Sequence, residues 1–158
     1  MRAYRVAYDG RPYAGFQRQP HAKTVEGTLL AALADHDVLD RGDGPTHATP
    51  PGYAAAGRTD AGVSAVAQTV AFDAPTWLSP RAFNATLPDA IRVWAAADVP
   101  ATFHATHDAT ARTYRYHLYA PVGGLPDDEP AIDEDLLVAA FDRLSGEHDF
   151  HNLTTDET

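Results

Sequence analysis

Residues 53–72 have the sequence YAAAGRTDAGVSAVAQTVAF, and their pattern sets the topology of the chain. Two short apolar runs, Tyr53–Ala56 and Ala67–Phe72, enclose a polar segment that carries Gly57 and Gly62. Apolar runs of this length on either side of a glycine-bearing segment are typical of neighbouring strands. The pattern therefore predicts two strands joined by a turn in the middle of the chain.

Strand and helix patterns lie on both sides of this pair. Ala3–Tyr8 alternates as a strand does, and Thr24 can cap a helix that ends near Asp37. Ser79-Pro80 can open a second helix to about Leu87, and Ile91–Val99 is a further apolar strand. The resulting order, β-α-β-β-α-β, predicts an α+β fold of the ferredoxin-like type over residues 1–104.

A second unit is expected over residues 105–158. Arg112–Tyr119 alternates as a strand, and Ile132–Leu144 has the pattern of an amphipathic helix. One strand and one helix cannot close a sheet. We therefore expect a second, similar α/β domain that is incomplete here, in a natural protein that continues past Thr158.

The composition is that of a globular protein. The chain has 158 residues, of which 44% are hydrophobic, and it contains no Cys. This excludes a disulfide framework and thiolate chemistry. No apolar run approaches the roughly 18 residues of a membrane span, and the N-terminus lacks the apolar region of a signal peptide. The expectation is a cytoplasmic protein with no membrane partner.

The net charge of −10 is unevenly distributed along the chain. Residues 1–30 are net positive, whereas residues 121–158 hold eleven acids and only Arg143. The acids are 17 Asp against 5 Glu, and the bases are 11 Arg against a single Lys. An Asp-rich, Lys-poor surface favours adaptation to high salt, although an ordinary acidic surface has a similar composition.

Two short motifs fit nucleotide binding or hydrolysis only partly. Residues 52–59 approach a phosphate-binding P-loop, but Arg58 replaces its Lys and no helix pattern follows. Residues 62–66 place Ser64 as in the nucleophile turn of a hydrolase, without that motif's second Gly. Neither class is favoured.

Histidine pairs are the other candidate for site chemistry. His104 and His107 are three residues apart, as are His148 and His151. Neither pair has the further ligands that a zinc site needs, so the sequence predicts no metal site.

The residue arrangement around Asp60 is more unusual. This carboxylate lies between two glycines and close to Arg58 and Thr59. Glycines allow the backbone to approach a ligand closely, and Arg58 could favour the ionised carboxylate or meet a phosphate. The alternative is a plain hairpin turn with a capped Asp and a local ion pair.

Six segments in chain order carry a specific resemblance. They are YDGRPYAGFQRQ at residues 8–19, GRTDAGVSA at 57–65, NATLP at 84–88, FHA at 103–105, ARTYRY at 111–116 and SGEHDF at 145–150. Together they resemble the signature of the tRNA pseudouridine synthase A family, with Thr106 in place of that family's Arg. The matches span most of the chain.

The resemblance implies an enzyme that isomerises uridine to pseudouridine in the anticodon stem-loop of tRNA. It implies no metal and no organic cofactor, and a homodimer for the full-length protein. The catalytic Asp of the family falls on Asp60, whose carboxylate would attack the flipped-out nucleotide. The alternative is a non-catalytic ferredoxin-like module that binds RNA through exposed aromatic side chains.

The resemblance also assigns roles to other residues. Tyr114 falls on the family's active-site Tyr, which stacks on the target base, although a core strand Tyr is the simpler interpretation. Arg58 falls on the Arg that fills the space left by that base. Further RNA or substrate contacts are implied for Thr59, Arg18, Gln19 and Arg112.

One part of the family's site has no counterpart in the sequence. By resemblance the active-site cleft lies between two similar domains, and a later strand carries an Arg that pairs with the catalytic Asp. Nothing after residue 150 supplies that strand. We therefore expect the 158-residue chain alone to lack measurable synthase activity.

Overall fold

The computed structural model describes residues 1–39, 49–119 and 132–150. Contacts between Cα atoms divide the chain into two compact units, Met1–Arg112 and Thr113–Thr158. The expected domain boundary at residue 104 stays a prediction. In chain order the elements are β1 (Arg2–Tyr8), α1 (Val25–Asp35), β2 (Ala54–Ala55), β3 (Ala65–Phe72), α2 (Pro80–Phe83), β4 (Ile91–Asp98) and α3 (Glu134–Leu144).

The first unit contains a four-stranded sheet in the order β2-β3-β1-β4. Every neighbouring pair is antiparallel, with Tyr4 opposite Val70 on one side of β1 and Ala96 on the other. Strand β3 therefore lies between β1 and β2, the two strands that α1 separates in the sequence. This is the split β-α-β arrangement, and the predicted ferredoxin-like α+β fold is confirmed.

An aromatic cluster fills the helix-covered face of the sheet. The rings of Tyr4 and Phe72 stack at 5.2 Å between centroids, and Phe83 of α2 meets Tyr4 edge-on at 5.6 Å. Leu29 and Leu33 of α1 are fully buried in the same core. The core is thus formed by the alternate residues of β1 and by one apolar face of α1, which are the faces that the periods of a strand and a helix predict to be buried.

Helix α2 is shorter than the sequence predicts: it ends at its C-cap, Asn84, whose side chain binds β4. The Asn84 side chain donates from Nδ2 to the Val93 carbonyl at 2.6 Å and accepts from the Val93 amide at 2.9 Å. The Ser79 cap is confirmed, since its hydroxyl accepts from the Ala82 amide at 3.2 Å. The predicted end near Leu87 was wrong by about one turn.

Small residues line part of the opposite face of the sheet. Ala54, Ala71 and Ala105 form a second buried cluster, with Ala3 and Phe103 packed against it. The segment around residue 105 therefore covers the β2 side of this face. The rest of the face carries exposed residues from β1, β3 and β4.

The second unit contains helix α3, which begins after the capping residue Asp133. The expected strand over Arg112–Tyr119 is wrong, because these residues form no strand in the structure. A strand needs a neighbour to bond its amides and carbonyls, and no described segment pairs with this one. Within the described ranges, no helix is long and apolar enough to cross a membrane.

Truncating the aromatic cluster should reduce the stability of the first unit. Phe72→Ala removes a fully buried ring that contacts Tyr4 and Phe83, so we expect the free energy of unfolding to fall by about 3–5 kcal/mol. Urea unfolding followed by circular dichroism measures the loss. The exposed aromatic variant Trp77→Ala serves as the control, and equal midpoints for the two variants would contradict the assignment of the core.

Candidate functional site

Asp60 lies in an exposed loop, residues 57–64, which we call the aspartate loop. Its side chain and that of Arg58 are exposed, whereas Thr59 is half-buried. No ion pair joins Arg58 to Asp60, and the described residues offer no hydrogen-bond partner to either side chain. The local ion pair considered from the sequence is therefore wrong, and the carboxylate is available for an outside partner.

The backbone of the aspartate loop is held by a second loop, residues 9–24, which we call the first loop. The Phe16 amide donates to the Thr59 carbonyl at 2.8 Å, and the Gly62 amide donates to the Tyr13 carbonyl at 3.2 Å. These two bonds lie on either side of Asp60. The position of its Cα is thus fixed by backbone contacts while its side chain remains exposed.

Two glycines of the first loop permit this close approach. A Cβ on Gly10 would lie 2.0 Å from the Val63 carbonyl oxygen, a clash that excludes any side chain at this position. Gly15 has φ of +98° and would place a Cβ 3.1 Å from the Thr59 carbonyl oxygen. The glycines of the YDG and YAG motifs are therefore steric requirements of the contact between the two loops.

Side chains of β1 and β3 form hydrogen bonds with the aspartate loop. The Tyr8 hydroxyl hydrogen-bonds the Thr59 hydroxyl at 2.8 Å, and Gln68 Nε2 donates to the Gly57 carbonyl at 2.6 Å. Burial raises the pKa of Tyr8, while its hydrogen bonds with Thr59 and Gln68 lower it in part. Tyr8 therefore stays protonated at neutral pH and remains a neutral partner for Thr59.

Residues 106 and 112 bind the chain just before the aspartate loop. Arg112 Nε donates to the Ala56 carbonyl at 2.7 Å, and its terminal nitrogen donates to the Thr106 carbonyl at 2.8 Å. The Thr106 hydroxyl donates to the Ala55 carbonyl at 2.7 Å. Arg112 thus contacts backbone, and an RNA contact by this residue stays a prediction.

The remaining predicted residues lie in two places. Arg18 and Gln19 belong to the first loop, where the Arg18 amide donates to Glu26 at 2.7 Å and Gln19 Nε2 donates to the Ala14 carbonyl at 3.2 Å. Tyr114 is an exposed residue of the second unit. The structure therefore groups Arg58, Thr59 and Asp60 with the first loop, while Tyr114 is described only within its own unit.

Several supporting residues were missed in the sequence. Ser64 accepts from the Gly10 amide at 3.0 Å, and Gln68 and Tyr8 hold the loop as described above. An open groove of about 470 Å³ runs beside Ser64 and is also lined by Arg11 and Arg92. Of these residues, only Gln68 could have been found from the sequence. A polar residue inside an apolar strand indicates a hydrogen-bonding role, because buried polar side chains are normally hydrogen-bonded.

Histidines do not form a metal site in the described ranges. The rings of His104 and His107 lie 4.2 Å apart, but no group of three His, Asp or Glu residues there could hold an ion. His151 lies outside the described residues.

The fold and the loop define an α+β domain of the ferredoxin-like class that presents one exposed carboxylate on a backbone-fixed loop. No protein-family model matches the chain. It is 64% identical over 159 residues to tRNA pseudouridine synthase A of Haloarcula marismortui, covering 100% of this chain and 56% of that protein. The tRNA pseudouridine synthase A of Halobacterium salinarum is 62% identical, with 99% of this chain and 54% of that protein covered.

A bacterial relative is more distant. The tRNA pseudouridine synthase A of Burkholderia lata is 38% identical over 165 residues, covering 96% of this chain and 57% of that protein. The chain belongs to the tRNA pseudouridine synthase A family, and it spans about half the length of the curated relatives it matches. Two of these relatives come from halophilic archaea, which supports the adaptation to salt that the composition favours.

Adding one methyl group at Gly10 should displace the aspartate loop. Gly10→Ala brings a Cβ against the Val63 carbonyl, so we expect a loss of about 3 kcal/mol in unfolding free energy, near the upper end for overpacking. Urea unfolding measures it. Gly57→Ala is the matched control, because its Cβ would lie 4.0 Å from Arg112 Nε and the change should be nearly neutral. Equal losses in both variants would show that the two loops do not meet at Gly10.

Proposed function

We propose that the whole protein isomerises uridine to pseudouridine in the anticodon stem-loop of tRNA, with Asp60 as the nucleophile. The observation that carries the proposal is the exposed Asp60 carboxylate, which has no partner among the described residues and lies on a loop fixed on both sides. Relatives named tRNA pseudouridine synthase A support the choice of reaction.

The proposed chemistry balances without a co-reactant. The Asp60 carboxylate attacks the nucleotide, at the sugar or the base, and the bond between C1′ of the ribose and N1 of uracil breaks. Uracil turns in the site and C5 bonds to C1′, while the bond between the Asp60 oxygen and the nucleotide breaks and releases the carboxylate. The proton that C5 loses is matched by the one that N1 gains. A nucleophilic carboxylate suits these steps if water is excluded, because water would otherwise hydrolyse the intermediate.

The target base must leave the helical stack before it can react, at a cost of a few kcal/mol. We propose that Arg58 fills the vacated space, which suits a guanidinium that is exposed beside Asp60. Tyr114 would stack on the flipped base. Thr59, Arg18, Gln19 and Arg112 would position the RNA backbone and the loop.

The remaining parts of the proposal concern the setting of the reaction. A tRNA substrate favours a cytoplasmic protein. The homodimer that the family resemblance implies stays a prediction, and it would be tested by sedimentation of the protein expressed from its complete gene.

Removing the Asp60 carboxylate should abolish isomerisation. With protein expressed from the complete gene, Asp60→Asn should lower turnover of uridine in a tRNA transcript by at least about 10,000-fold, because an amide cannot act as the nucleophile. Release of tritium from C5-labelled uridine measures the rate. Asp73→Asn, at the far end of β3, is the control and should retain parental turnover.

Retained turnover in the Asp60→Asn protein would contradict its role as nucleophile. Tight tRNA binding with no isomerisation by the parent protein would instead favour the non-catalytic RNA-binding module.

Binding of tRNA should survive high salt. At about 1 M salt the Debye length is only about 3 Å, so distant carboxylates hardly repel phosphates, and phosphate attraction is weak as well. We expect log affinity to fall against log salt with a slope no steeper than about −2, whereas 6–10 phosphate contacts would give about −5 to −9. Filter binding in a series of KCl concentrations measures the slope, and a value in the steeper range would contradict the expectation.

A further inference from the structure

Trp94 of β4 occupies an unusual position on the sheet. Its indole Nε1 donates to the Val66 carbonyl of β3 at 3.1 Å, although β1 lies between those two strands. Two inter-strand spacings amount to about 9.5 Å, so the indole must extend across β1 instead of standing upright on the sheet. Yet 54% of Trp94 is exposed. The ring is therefore held from one side and open to solvent on the other.

Two irregularities in the sheet create this position. The register between β1 and β4 shifts between Arg5 and Val6, and that between β1 and β3 shifts between Val6 and Tyr8. The first shift leaves Trp94 as the extra residue of β4, and the second lies opposite Val66. A bulge leaves its extra residue unpaired and redirects the side chain. This accounts for the Val66 carbonyl that is available to the indole and for the direction in which the indole extends.

Two arginines, Arg5 and Arg92, lie close to Trp94 in the register of the sheet and on the same face. Arg5 is exposed and uses one terminal nitrogen to donate to the Ala67 carbonyl at 3.1 Å, and Arg92 is exposed two residues before Trp94. Arg11 is paired with Asp9 at 2.6 Å, and this pairing lowers the pKa of Asp9 to about 2. Asp89 also lines the groove, so Arg5 and Arg92 are two local cations that can meet an anion beside the indole and not part of a uniformly basic face.

The indole is adjacent to the proposed catalytic loop. Val66, which binds it and is itself 85% exposed, lies two residues after Ser64, the last residue of the aspartate loop. The open groove is lined by Ser64, by Val66, whose carbonyl binds the indole, and by Arg92. A strand that follows the groove would therefore run from the end of the aspartate loop toward the indole.

We propose that Trp94 is a stacking platform for an unpaired base of the RNA substrate, with Arg5 and Arg92 meeting the adjacent phosphates. The choice of RNA rests on the proposed function, and the two guanidinium groups beside the indole support it. A flat aromatic ring that is open on one face and flanked by guanidinium groups is what binds single-stranded nucleic acid without sequence preference. A second copy of the chain is the competing occupant.

Binding of a fluorescein-labelled tRNA transcript by the 158-residue chain tests the proposal. Trp94→Ala should weaken binding about 5- to 150-fold, and Trp94→Phe should retain most of the affinity because it keeps a ring. Trp77→Ala is the matched control, since Trp77 is 53% exposed but lies outside this face, beside His36. Circular dichroism identifies any variant whose fold is lost.

Salt dependence separates stacking from charge. Trp94→Ala should lower the affinity by the same factor at every KCl concentration, whereas Arg92→Ala should make the salt slope shallower by about one phosphate contact. In the Trp77→Phe background Trp94 is the sole tryptophan of the chain, and saturating RNA should quench its fluorescence. Equal affinities for Trp94→Ala and Trp77→Ala, or no quenching, would overturn the proposal.

The outcomes also separate this proposal from the proposed function. A change in self-association of the Trp94→Ala chain with unchanged RNA affinity would identify a protein contact and overturn the proposal. If Trp94→Ala has no effect but Asp60→Asn abolishes isomerisation, the platform is wrong and the enzyme assignment stands. If Trp94 is required for binding but the protein made from the complete gene never isomerises uridine, the stacking platform stands and the enzyme assignment is wrong.

Discussion

The contact between the backbones of the first loop and the aspartate loop is the constraint on which the site depends. Gly10 and Gly15 let the two chains approach, and hydrogen bonds from Phe16 and Gly62 hold them on either side of Asp60. If only side chains held the loop, each of them could change rotamer, and the position of Asp60 would change with them. Because the backbone itself is fixed, the carboxylate can be both exposed and positioned, as a nucleophile requires.

The two faces of the sheet have different functions. Tyr4, Phe72 and Phe83 on the helix side build the core, so the strands are anchored by large buried rings. On the other face, the buried cluster among the described residues is the alanine cluster around Ala71. Small residues there let the chain segment at residue 105 approach, while the bulges near Trp94 redirect a large ring along the surface. The first loop and α1 thus support the site from one side, while the opposite face keeps exposed side chains among the described residues of the first unit.

Much of the fold followed from local patterns, and the errors follow from contacts that no local pattern contains. The four strands, α1 and the Ser79 cap were predictable because periodicity and capping depend on neighbouring residues. Helix α2 ended early because Asn84 binds Val93, a contact set by tertiary structure. The alternation in Arg112–Tyr119 did not produce a strand, because a strand also needs a partner that pairs with it.

The candidate site was located by motif, but its physical construction was not predictable from the motif. The letters of GRTDAGV suggested an ion pair between Arg58 and Asp60, whereas both side chains are exposed and unpaired in the described part of the chain. The ion pairs of Met1, Arg2 and Arg11 involve no residue of the aspartate loop, which is held by neutral groups such as the Tyr8 and Thr59 hydroxyls and by backbone amides. Salt screens ion pairs but hardly affects short hydrogen bonds between neutral groups. A loop built in this way keeps its geometry at the ionic strength for which the Asp-rich, Lys-poor surface is suited. The site and the surface thus meet the same condition, because the site relies on glycine packing and not on charge.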